Sequence, residues 1–461
     1  MAGGIDLLVT GGTVVTSDAR WRADIAVSGD TIVEIGAPGT LTGAARSYDA
    51  TGRYVLPGAI DGHVHFREPG LEYKEDFGTG SLAAVMGGVT TVIDMPNTRP
   101  PTDRAAHVDQ KRRLAEAHAY CDFGIIGVIV QENLAEIENM AAAGVVGFKS
   151  FLGETIGNIP APDDGALLEA MGTVAGTGLR YGFHAENNEI LQHLIRKAKA
   201  AGRTDALAHL DTRPAIAEVE CIQRVALFAK QAGTKIHIFH LSSREGLAAI
   251  EEWRAKGVDI TCETAAHYTF LSAEAMSTLG STLRMNPPVR ERGHGDALLE
   301  GLSSGRVDGI ATDHSPHTRE EKVNDDIWKA VSGFTGVEVS IRLFLTYGVN
   351  AGRLTLQQLA RASSEGPAKA WGLYPRKGGI AVGADADLMI VDLERTGAID
   401  AARLHSKNNI TPFDGHRTKG EVVATVCRGQ IVMRDGELVG RPGGRMVRPS
   451  PASSRLAGRA S

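Results

Sequence analysis

The chain has 461 residues, 43% of them hydrophobic and 23% charged, which is enough for a large core and excludes a disordered, collagen-like or coiled-coil chain. Lysine and arginine total 49 against 55 aspartate and glutamate, so the formal net charge is −6. Because no domain is strongly basic, we expect no nucleic-acid partner.

Neither a membrane span nor a disulfide framework is expected. No apolar run approaches the roughly 18 residues that a span needs, and the N-terminal stretch lacks the basic-then-apolar order of a signal peptide. We therefore predict a cytoplasmic protein without a membrane partner. The cysteines are far apart and form no CxxC pair, which predicts reduced thiols: Cys121, Cys221, Cys262 and Cys427.

The two ends of the chain share one style of sequence. Residues 1–56 are short β-branched runs separated by glycine and aspartate turns, the pattern of an antiparallel sheet. Similar runs return in residues 373–445, for example in IAVGADADLMIVDL. We predict that both segments build one small β-sandwich domain. Residues 446–461, rich in glycine, serine, proline and arginine, are expected to form a flexible tail.

The middle, residues 57–372, alternates between apolar strand-like runs and longer amphipathic helical stretches, which is the signal for βα units. Eight runs are strand-like: AIDGHVHF, VTTVIDMP, FGIIGVIV, VVGFKSFL, LRYGFHAE, KIHIFHLSS, VDITCETA and VDGIATDHSP. They predict an α/β fold, a (β/α)8 TIM barrel, whose functional sites lie at the C-terminal ends of the strands.

Several of these runs end in side chains that can bind metal. His63 and His65 lie two positions apart on the first run, so strand alternation points both imidazoles to one side. Such a pair alone is more often a coincidence. Four other runs, however, also end in a polar or charged group that is costly to bury unpaired: Lys149, His184, His240 and Asp313. We predict that these six side chains share one site.

Two of these runs leave alternatives open. His237 and His240 are an odd number of positions apart, so only one of them is expected to face the barrel interior. Lys149 has two interpretations: it could be a buried ion-pair partner, or it could lose its proton and add carbon dioxide, forming a carbamate that bridges two cations.

Together the motifs resemble the cyclic amide group of the amidohydrolases: dihydroorotase, allantoinase, hydantoinase and dihydropyrimidinase. The resemblance covers nearly the whole chain, from LPGAIDGHVHFREPG through GFKSF, HAEN, HLSS and TDHSPH to GADADLMIVDL and FDGHRTKG. It implies two divalent cations bridged by an N6-carboxylated Lys149, the first held by His63, His65 and Asp313 and the second by His184 and His240.

The chemistry implied is hydrolysis of a ring amide. Two cations about 3.5–4 Å apart can share a water, lower its pKa toward about 7 and polarise the amide carbonyl. Asp313 would take the proton of that water as general base and return it to the departing ring nitrogen as general acid. Histidine and carboxylate ligands favour zinc, although manganese, cobalt or nickel would fit as well.

Residues near the metal ligands predict the substrate. Arg67, Asn97 and His317 match residues that bind the substrate carboxylate in dihydroorotases, and a planar guanidinium suits bidentate carboxylate recognition. The segment FLGETIG resembles the mobile loop of lysine-containing dihydroorotases and carries Thr155 at the position that covers the substrate, while Asn286 would contact the ring. The first hypothesis is therefore a dihydroorotase, which converts dihydroorotate to N-carbamoyl-aspartate.

Other stretches favour an alternative, an allantoinase or an L-hydantoinase or dihydropyrimidinase-type enzyme: RPAIAEVECIQRVALFAKQAG and GVNAGRLTLQQLARASSEGPAKAWGLYP. A third hypothesis is a hydrolase of another carboxylate-bearing ring in catabolism. A non-catalytic scaffold is the remaining one, but related assembly proteins have lost metal ligands that this chain retains. The resemblance also implies a homodimer or homotetramer that acts on a small cyclic amide.

Overall fold

The first strands of the chain form part of a small β domain. The computed structural model describes residues 4–155, 157 and 159–450. The strands are β1 (Leu7–Val15), β2 (Arg20–Ser28), β3 (Thr31–Gly36), β4 (Arg46–Asp49) and β5 (Tyr54–Pro57). The two-residue turn between β2 and β3 begins at Gly29, whose φ of 58° lies in the left-handed region that glycine adopts without steric cost.

The middle of the chain forms the predicted (β/α)8 barrel, and each of its strands overlaps one predicted run. Neighbouring strands pair in parallel in chain order. The barrel strands are β6 (Ala59–Val64), β7 (Val89–Asp94), β8 (Asp122–Val128), β9 (Gly147–Phe151), β10 (Arg180–His184), β11 (Ile236–Ile238), β12 (Ile260–Thr264) and β13 (Gly309–Ile310). A parallel bridge between Val64 and His314 joins the last strand region to the first.

Helices connect the barrel strands, and their ends follow local sequence signals. Several begin at a residue whose side chain accepts a hydrogen bond from the first turn: Asp76, Asp163, Asn187, Asp205 and Ser243. Several end at a glycine in the left-handed region: Gly144, Gly178, Gly233 and Gly305.

The helices are α1 (Phe77–Met86), α2 (Ala105–His118), α3 (Ile137–Ala143), α4 (Asp164–Thr177), α5 (Asn188–Ala200), α6 (Ala206–Asp211), α7 (Ala215–Ala232), α8 (Arg244–Ala255), α9 (Ala266–Phe270), α10 (Met276–Leu279), α11 (Arg292–Ser304), α12 (Arg319–Lys322), α13 (Ser340–Leu343), α14 (Leu356–Ala360) and α15 (Gly366–Ala370). Short 3-10 turns lie at Gln131–Glu136, Ala273–Ala275, Gly280–Leu283 and Ala401–Arg403. Turns of π-helix lie at Phe344–Val349 and Arg361–Glu365.

Strands from the C-terminal part complete the β domain: β14 (Leu388–Ala398), β15 (Arg417–Cys427), β16 (Gln430–Arg434) and β17 (Glu437–Leu438). Strand β14 pairs antiparallel with β5, so the two ends of the chain share one sheet. The predicted β-sandwich domain is therefore confirmed. The sheet is not purely antiparallel, because β1 pairs in parallel with β4 and β5. It encloses a hydrophobic core of its own, separate from that of the barrel.

A buried ionic cluster joins the β domain to the barrel. Lys377 Nζ lies 2.7 Å from Asp122 Oδ2, 2.6 Å from Asp387 Oδ2 and 3.0 Å from Asp385 Oδ2. Arg428, in the turn after β15, adds a second contact to Asp122 at 3.0 Å. Since Asp122 opens barrel strand β8, these charges fix the two domains to one another.

Part of the predicted tail packs on the barrel. Met446 pairs with Phe123, the N–H of Val447 donates to the Phe123 carbonyl at 2.8 Å, and the N–H of Ser450 donates to the Gly372 carbonyl at 2.9 Å. Val447 is buried, so an apolar contact explains why this segment is held. Residues 451–461 of the predicted tail lie outside the described residues.

Two expectations drawn from composition concern the membrane and the cysteines. Within the described part of the chain, no helix has both the length and the apolarity needed to cross a bilayer. The four cysteines are buried, free thiols, as predicted.

Candidate metal centre and substrate cavity

The C-terminal ends of the barrel strands surround an open cavity of about 370 Å³. Its wall contains all six predicted metal-binding side chains: His63, His65, Lys149, His184, His240 and Asp313. It also contains four of the predicted substrate-binding residues: Arg67, Asn97, Thr155 and Asn286. The fold therefore brings these ten residues together around one cavity.

The first group of candidate ligands comes from the first and last barrel strands. The pairing of β6 with β7 shifts register between Asp61 and Val64, and such an extra residue re-aims the side chains next to it. His63 Nε2 lies 3.3 Å and His65 Nε2 lies 3.1 Å from Asp313 Oδ1. The ligand atoms of these three residues lie within 4.8 Å of one another, close enough to share one ion.

The second group lies directly beside the first. Lys149 Nζ is 2.9 Å from His63 Nε2, and the rings of Phe151 and Phe239 flank it. His184 Nδ1 and His240 Nε2 face each other at 2.9 Å. The ring centres of His63 and His240 lie 5.3 Å apart, so the two groups are adjacent, with Lys149 next to the first group.

Turns, rather than strands, present some of these residues. Strand β11 ends at Ile238 and β13 at Ile310, and the residues that follow in the site have positive φ angles, 39° at His240 and 46° at Asp313. Arg67, after β6, has a φ of 64°. Left-handed backbone is uncommon for residues other than glycine and concentrates at functional sites.

The expectation that only one of His237 and His240 would face the interior is wrong, because it assumed an unbroken strand. His237 is buried beneath the site, with Nε2 3.3 Å from Glu263 Oε2. The other oxygen of Glu263 lies 3.0 Å from His63 Nδ1. Both histidines therefore belong to the same interior network, one in the site and one supporting it.

Burial sets the charge of the site. Removal from water lowers the pKa values of His63, His65, His184 and His240, so these imidazoles are neutral, which is the form that binds metal. Burial also lowers the pKa of Lys149 to about 7, which gives the neutral amine needed to add carbon dioxide.

The donor set fits divalent cations. Two buried ring nitrogens, His65 Nδ1 and His240 Nδ1, have no hydrogen-bond partner within the described residues. Neutral imidazoles with a carboxylate are the ligands that zinc and similar ions take in catalytic sites. Two carboxylates behind the site orient two of the candidate ligands. Glu263 hydrogen-bonds His63, and Glu186 Oε2 lies 2.9 Å from His184 Nε2.

Sequence reasoning missed both outer carboxylates, although each had a visible signal. Glu263 is a charged residue inside the apolar strand run VDITCETA, and Glu186 follows His184 by two positions in HAEN. A charge within a buried run is costly unless it is paired, so these positions could have been read as partners of the metal ligands.

On the substrate side, Arg67 reaches the cavity and His317 does not line it. Arg67 is buried and hydrogen-bonds Ser315 Oγ, with its Nη2 3.2 Å from His317 Nε2. Burial lowers the pKa of His317 to about 3, so the ring is neutral. Its Nδ1 can accept from Lys74 Nζ at 3.0 Å while Nε2 donates to the Ser332 carbonyl at 3.1 Å. The structure therefore places His317 behind Arg67.

The remaining predicted contacts surround the cavity mouth. Asn97 and Thr155 both line it, and Asn97 is buried. In the orientation that pairs both ends of the Asn286 amide, its nitrogen donates to Ser332 Oγ at 2.9 Å and its oxygen accepts from Arg213 Nη2 at 3.1 Å. Residues 156 and 158 of the predicted loop lie outside the described residues.

Comparison with known proteins identifies the family. Residues 54–432 match the profile described as the amidohydrolase family, which covers the barrel and most of the C-terminal strands. The chain belongs to the amidohydrolase family. An allantoinase from Solibacter usitatus is 40% identical to this amidohydrolase over 447 residues, 96% of this chain and 97% of the relative.

Two other relatives carry different names. A dihydroorotase from Methanothermobacter thermautotrophicus is 37% identical over 397 residues, 86% of this amidohydrolase and 88% of the relative. A solved structure of an L-hydantoinase (dihydropyrimidinase) from Arthrobacter aurescens matches with a TM-score of 0.94 and 36% identity, over 96% of this chain and all of that one. This amidohydrolase is accordingly a hydrolase that acts on cyclic amides.

Proposed function

We propose that this amidohydrolase is an allantoinase, which hydrolyses an amide C–N bond in the hydantoin ring of allantoin. The observation that carries the proposal is the 40% identity to an allantoinase over 96% of the chain. The motifs around the cavity favoured dihydroorotase in the sequence analysis, but the similarity to a dihydroorotase extends over 86% of the chain. Whole-chain similarity thus supports the alternative over the first hypothesis.

The cavity provides groups that a ureido-substituted ring can use. Allantoin carries carbonyl oxygens and amide N–H groups outside the scissile bond, and these need both donors and acceptors. Arg67 supplies donors, while Asn97 and Asn286 each offer a donor and an acceptor. A carboxylate would also accept hydrogen bonds from Arg67, so the buried guanidinium favours dihydroorotase as the second candidate.

We further propose that the cavity would hold two divalent cations, most simply zinc, and that a carboxylated Lys149 would contribute to binding them. His63, His65 and Asp313 would hold the first and His184 and His240 the second. When bound, such ions supply a hydroxide nucleophile at neutral pH and polarise the scissile carbonyl. The Asp313 carboxylate takes a proton from the attacking water and passes it to the leaving ring nitrogen.

The remaining expectations also belong to this proposal. Thr155, on the loop after β9, would close over the substrate, and His317 would pack behind Arg67 without touching the substrate. The enzyme would act as a homodimer or homotetramer, as the resemblance implies.

The test compares four rings on the zinc-loaded protein: allantoin, dihydroorotate, hydantoin and dihydrouracil. We expect kcat/KM for allantoin to exceed the other values by at least about tenfold, which corresponds to roughly 1.4 kcal/mol of transition-state binding. An advantage of dihydroorotate over allantoin would contradict the proposal and return the second candidate to first place. The Arg67→Met variant tests whether Arg67 binds a substrate carboxylate. It should lower kcat/KM far more for dihydroorotate, which carries a carboxylate, than for unsubstituted hydantoin.

A further inference from the structure

A buried arginine outside the predicted site contacts the site from behind. Arg213 lies in the turn between α6 and α7 and is 1% exposed. Its Nη1 forms an ion pair with Glu186, and its Nη2 donates to the Glu154 carbonyl at 3.2 Å. One planar guanidinium therefore links two segments that approach the cavity from different strands.

The first of these segments orients a candidate metal ligand. Glu186 is fully buried, and its Oε2 lies 2.9 Å from His184 Nε2. The same Oε2 contacts Arg213, so the arginine fixes the carboxylate that fixes the imidazole. His184 Nδ1, on the opposite side of the ring, faces His240 in the cavity.

The second segment forms part of the cavity mouth. Residues 152–155 lead from β9 to Thr155, and they pack tightly against Glu186: a Cβ at Gly153 would lie 2.9 Å from the Glu186 Cβ. The Glu154 carbonyl accepts from Arg213 Nη2. In the orientation that pairs both ends of the Asn286 amide, its oxygen accepts from the same Nη2 at 3.1 Å and its nitrogen donates to Ser332 Oγ at 2.9 Å. Arg213 therefore also contacts Asn286, which lines the cavity.

We propose that Arg213 is a positioning residue that couples the orientation of His184, through Glu186, to the position of residues 152–155 over the substrate. The proposal rests on the assignment of His184 as a metal ligand. A simple structural ion pair would stabilise the fold without affecting the cavity. Within the described residues, the hydrogen-bond partners of the Arg213 guanidinium instead belong to the cavity wall or to its support: Glu186, Glu154 and Asn286.

Two variants separate the two halves of this role. Arg213→Met leaves Glu186 buried without its cation and removes the donor to the Glu154 carbonyl, so we expect both weaker metal binding and a higher KM. Loss of such an outer partner costs about 10- to 100-fold in metal affinity. Arg213→Lys keeps the charge near Glu186 but lacks the fork, so we expect near-normal metal binding and a raised KM.

The matched control is Arg180→Met. Arg180 is another buried arginine, at the opposite end of the strand that carries His184, where it pairs with Asp259 at 2.8 Å and donates to the Ala370 carbonyl at 3.0 Å. Its loss should lower stability but leave metal binding and KM unchanged, because none of these contacts reaches the cavity wall.

The experiment titrates metal-free wild type and the three variants with Co²⁺, follows the visible absorption of the bound ion, and measures kcat and KM of the loaded proteins. We expect Arg213→Met to retain one tight ion and to bind the second about 10- to 100-fold more weakly. The proposal would be overturned if Arg213→Met bound both Co²⁺ ions with wild-type affinity and kept the wild-type KM. It would also be overturned if Arg180→Met showed the same weaker Co²⁺ binding and higher KM as Arg213→Met. If Arg213→Met does not fold, a wild-type KM in Arg213→Lys would overturn the proposal instead. A wild type that binds no Co²⁺ would overturn the proposed metal site, and this inference with it.

Discussion

Asp313 is the residue that we propose to carry the proton in ring hydrolysis. Burial raises the pKa of its carboxyl group to about 7, and the group contacts both His63 and His65. Asp313→Asn keeps the size of the side chain but removes the proton acceptor. We expect kcat for the best ring substrate to fall by about 10²- to 10⁴-fold, with metal still bound through the histidines. Steady-state kinetics with metal analysis checks this, and near-normal kcat in the variant would contradict the general-base assignment.

Lys149 has a different task, which a second substitution tests. Lys149→Ala removes the amine that would carry the carbamate, so we expect loss of bound metal and of activity. A short carboxylate such as propionate should partly restore both, because it replaces the missing bridging oxygens. The measurement is ions per chain with and without the additive.

Lys111→Ala is the control for this variant, since Lys111 is also fully buried but pairs with Asp94 at 2.6 Å. It should lose stability and keep its ions. A Lys149→Ala protein that holds two ions without additive would exclude a bridging carbamate.

The candidate metal ligands could be proposed from the sequence because their chemistry is local: a histidine or lysine in an apolar strand run is conspicuous. The residues that hold them could not, since Arg213 meets Glu186 and Glu154 only in the folded chain. His317 shows the same limit, because its place behind Arg67 depends on Lys74, which is distant in sequence.

At the scale of elements, the barrel strands were predictable from their continuous apolar runs, which are typical of parallel strands buried on both faces. Their ends were not. The run KIHIFHLSS continues past β11, which ends at Ile238, and VDGIATDHSP continues past β13, which ends at Ile310. Apolarity persists into the buried turns after the ladder of hydrogen bonds has stopped, so periodicity misplaces the side chains there.

Strand β10 provides an element-level test of packing. A Cβ at Gly182 would collide with the ring of Phe239, which stacks on Trp371 and lies 4.2 Å from Lys149 Nζ. We expect Gly182→Ala to lower the free energy of unfolding by about 1–3 kcal/mol, because the filled barrel interior cannot accept another methyl group without strain. Urea unfolding measures this.

The matched control is Gly172→Ala, in α4, where a Cβ would meet nothing within 4 Å. Alanine there should leave stability unchanged or raise it by up to about 1 kcal/mol, since glycine disfavours a helix interior. Equal effects of the two substitutions would show that steric collision is not the cause.

At the scale of the whole molecule, the sequence predicted that the two chain ends form one β domain, because both ends are short strand-like runs separated by turns. The ionic contacts that join this domain to the barrel could not be predicted. Lys377 is distant in sequence from Asp122, and nothing in the local sequence distinguishes it from an exposed lysine. Only the packing of the two domains brings Lys377 against Asp122 and Asp387. A shared fold alone does not choose among cyclic amides, so the proposal of allantoin as substrate rests on sequence identity over the whole chain.

Lys377→Met tests this domain junction. The change leaves three carboxylates around the site of a lost buried cation, so we expect the free energy of unfolding to fall by about 3–5 kcal/mol. The exposed Lys369 pairs with Glu365 and lies 5.0 Å from the centre of the Tyr374 ring, and Lys369→Met should cost less than about 1 kcal/mol. Denaturant unfolding of both variants gives the comparison. A loss below 1 kcal/mol in Lys377→Met would mean that the cluster does not stabilise the junction.

The most direct test of a two-metal allantoinase is a titration of the metal-free protein with Zn²⁺, with the rate of allantoin ring opening measured at each ratio of ion to chain. We expect negligible turnover without metal and a maximum at two ions per chain. Equal turnover by the metal-free protein, or a maximum at one ion per chain, would contradict a two-metal site built from His63, His65, Lys149, His184, His240 and Asp313.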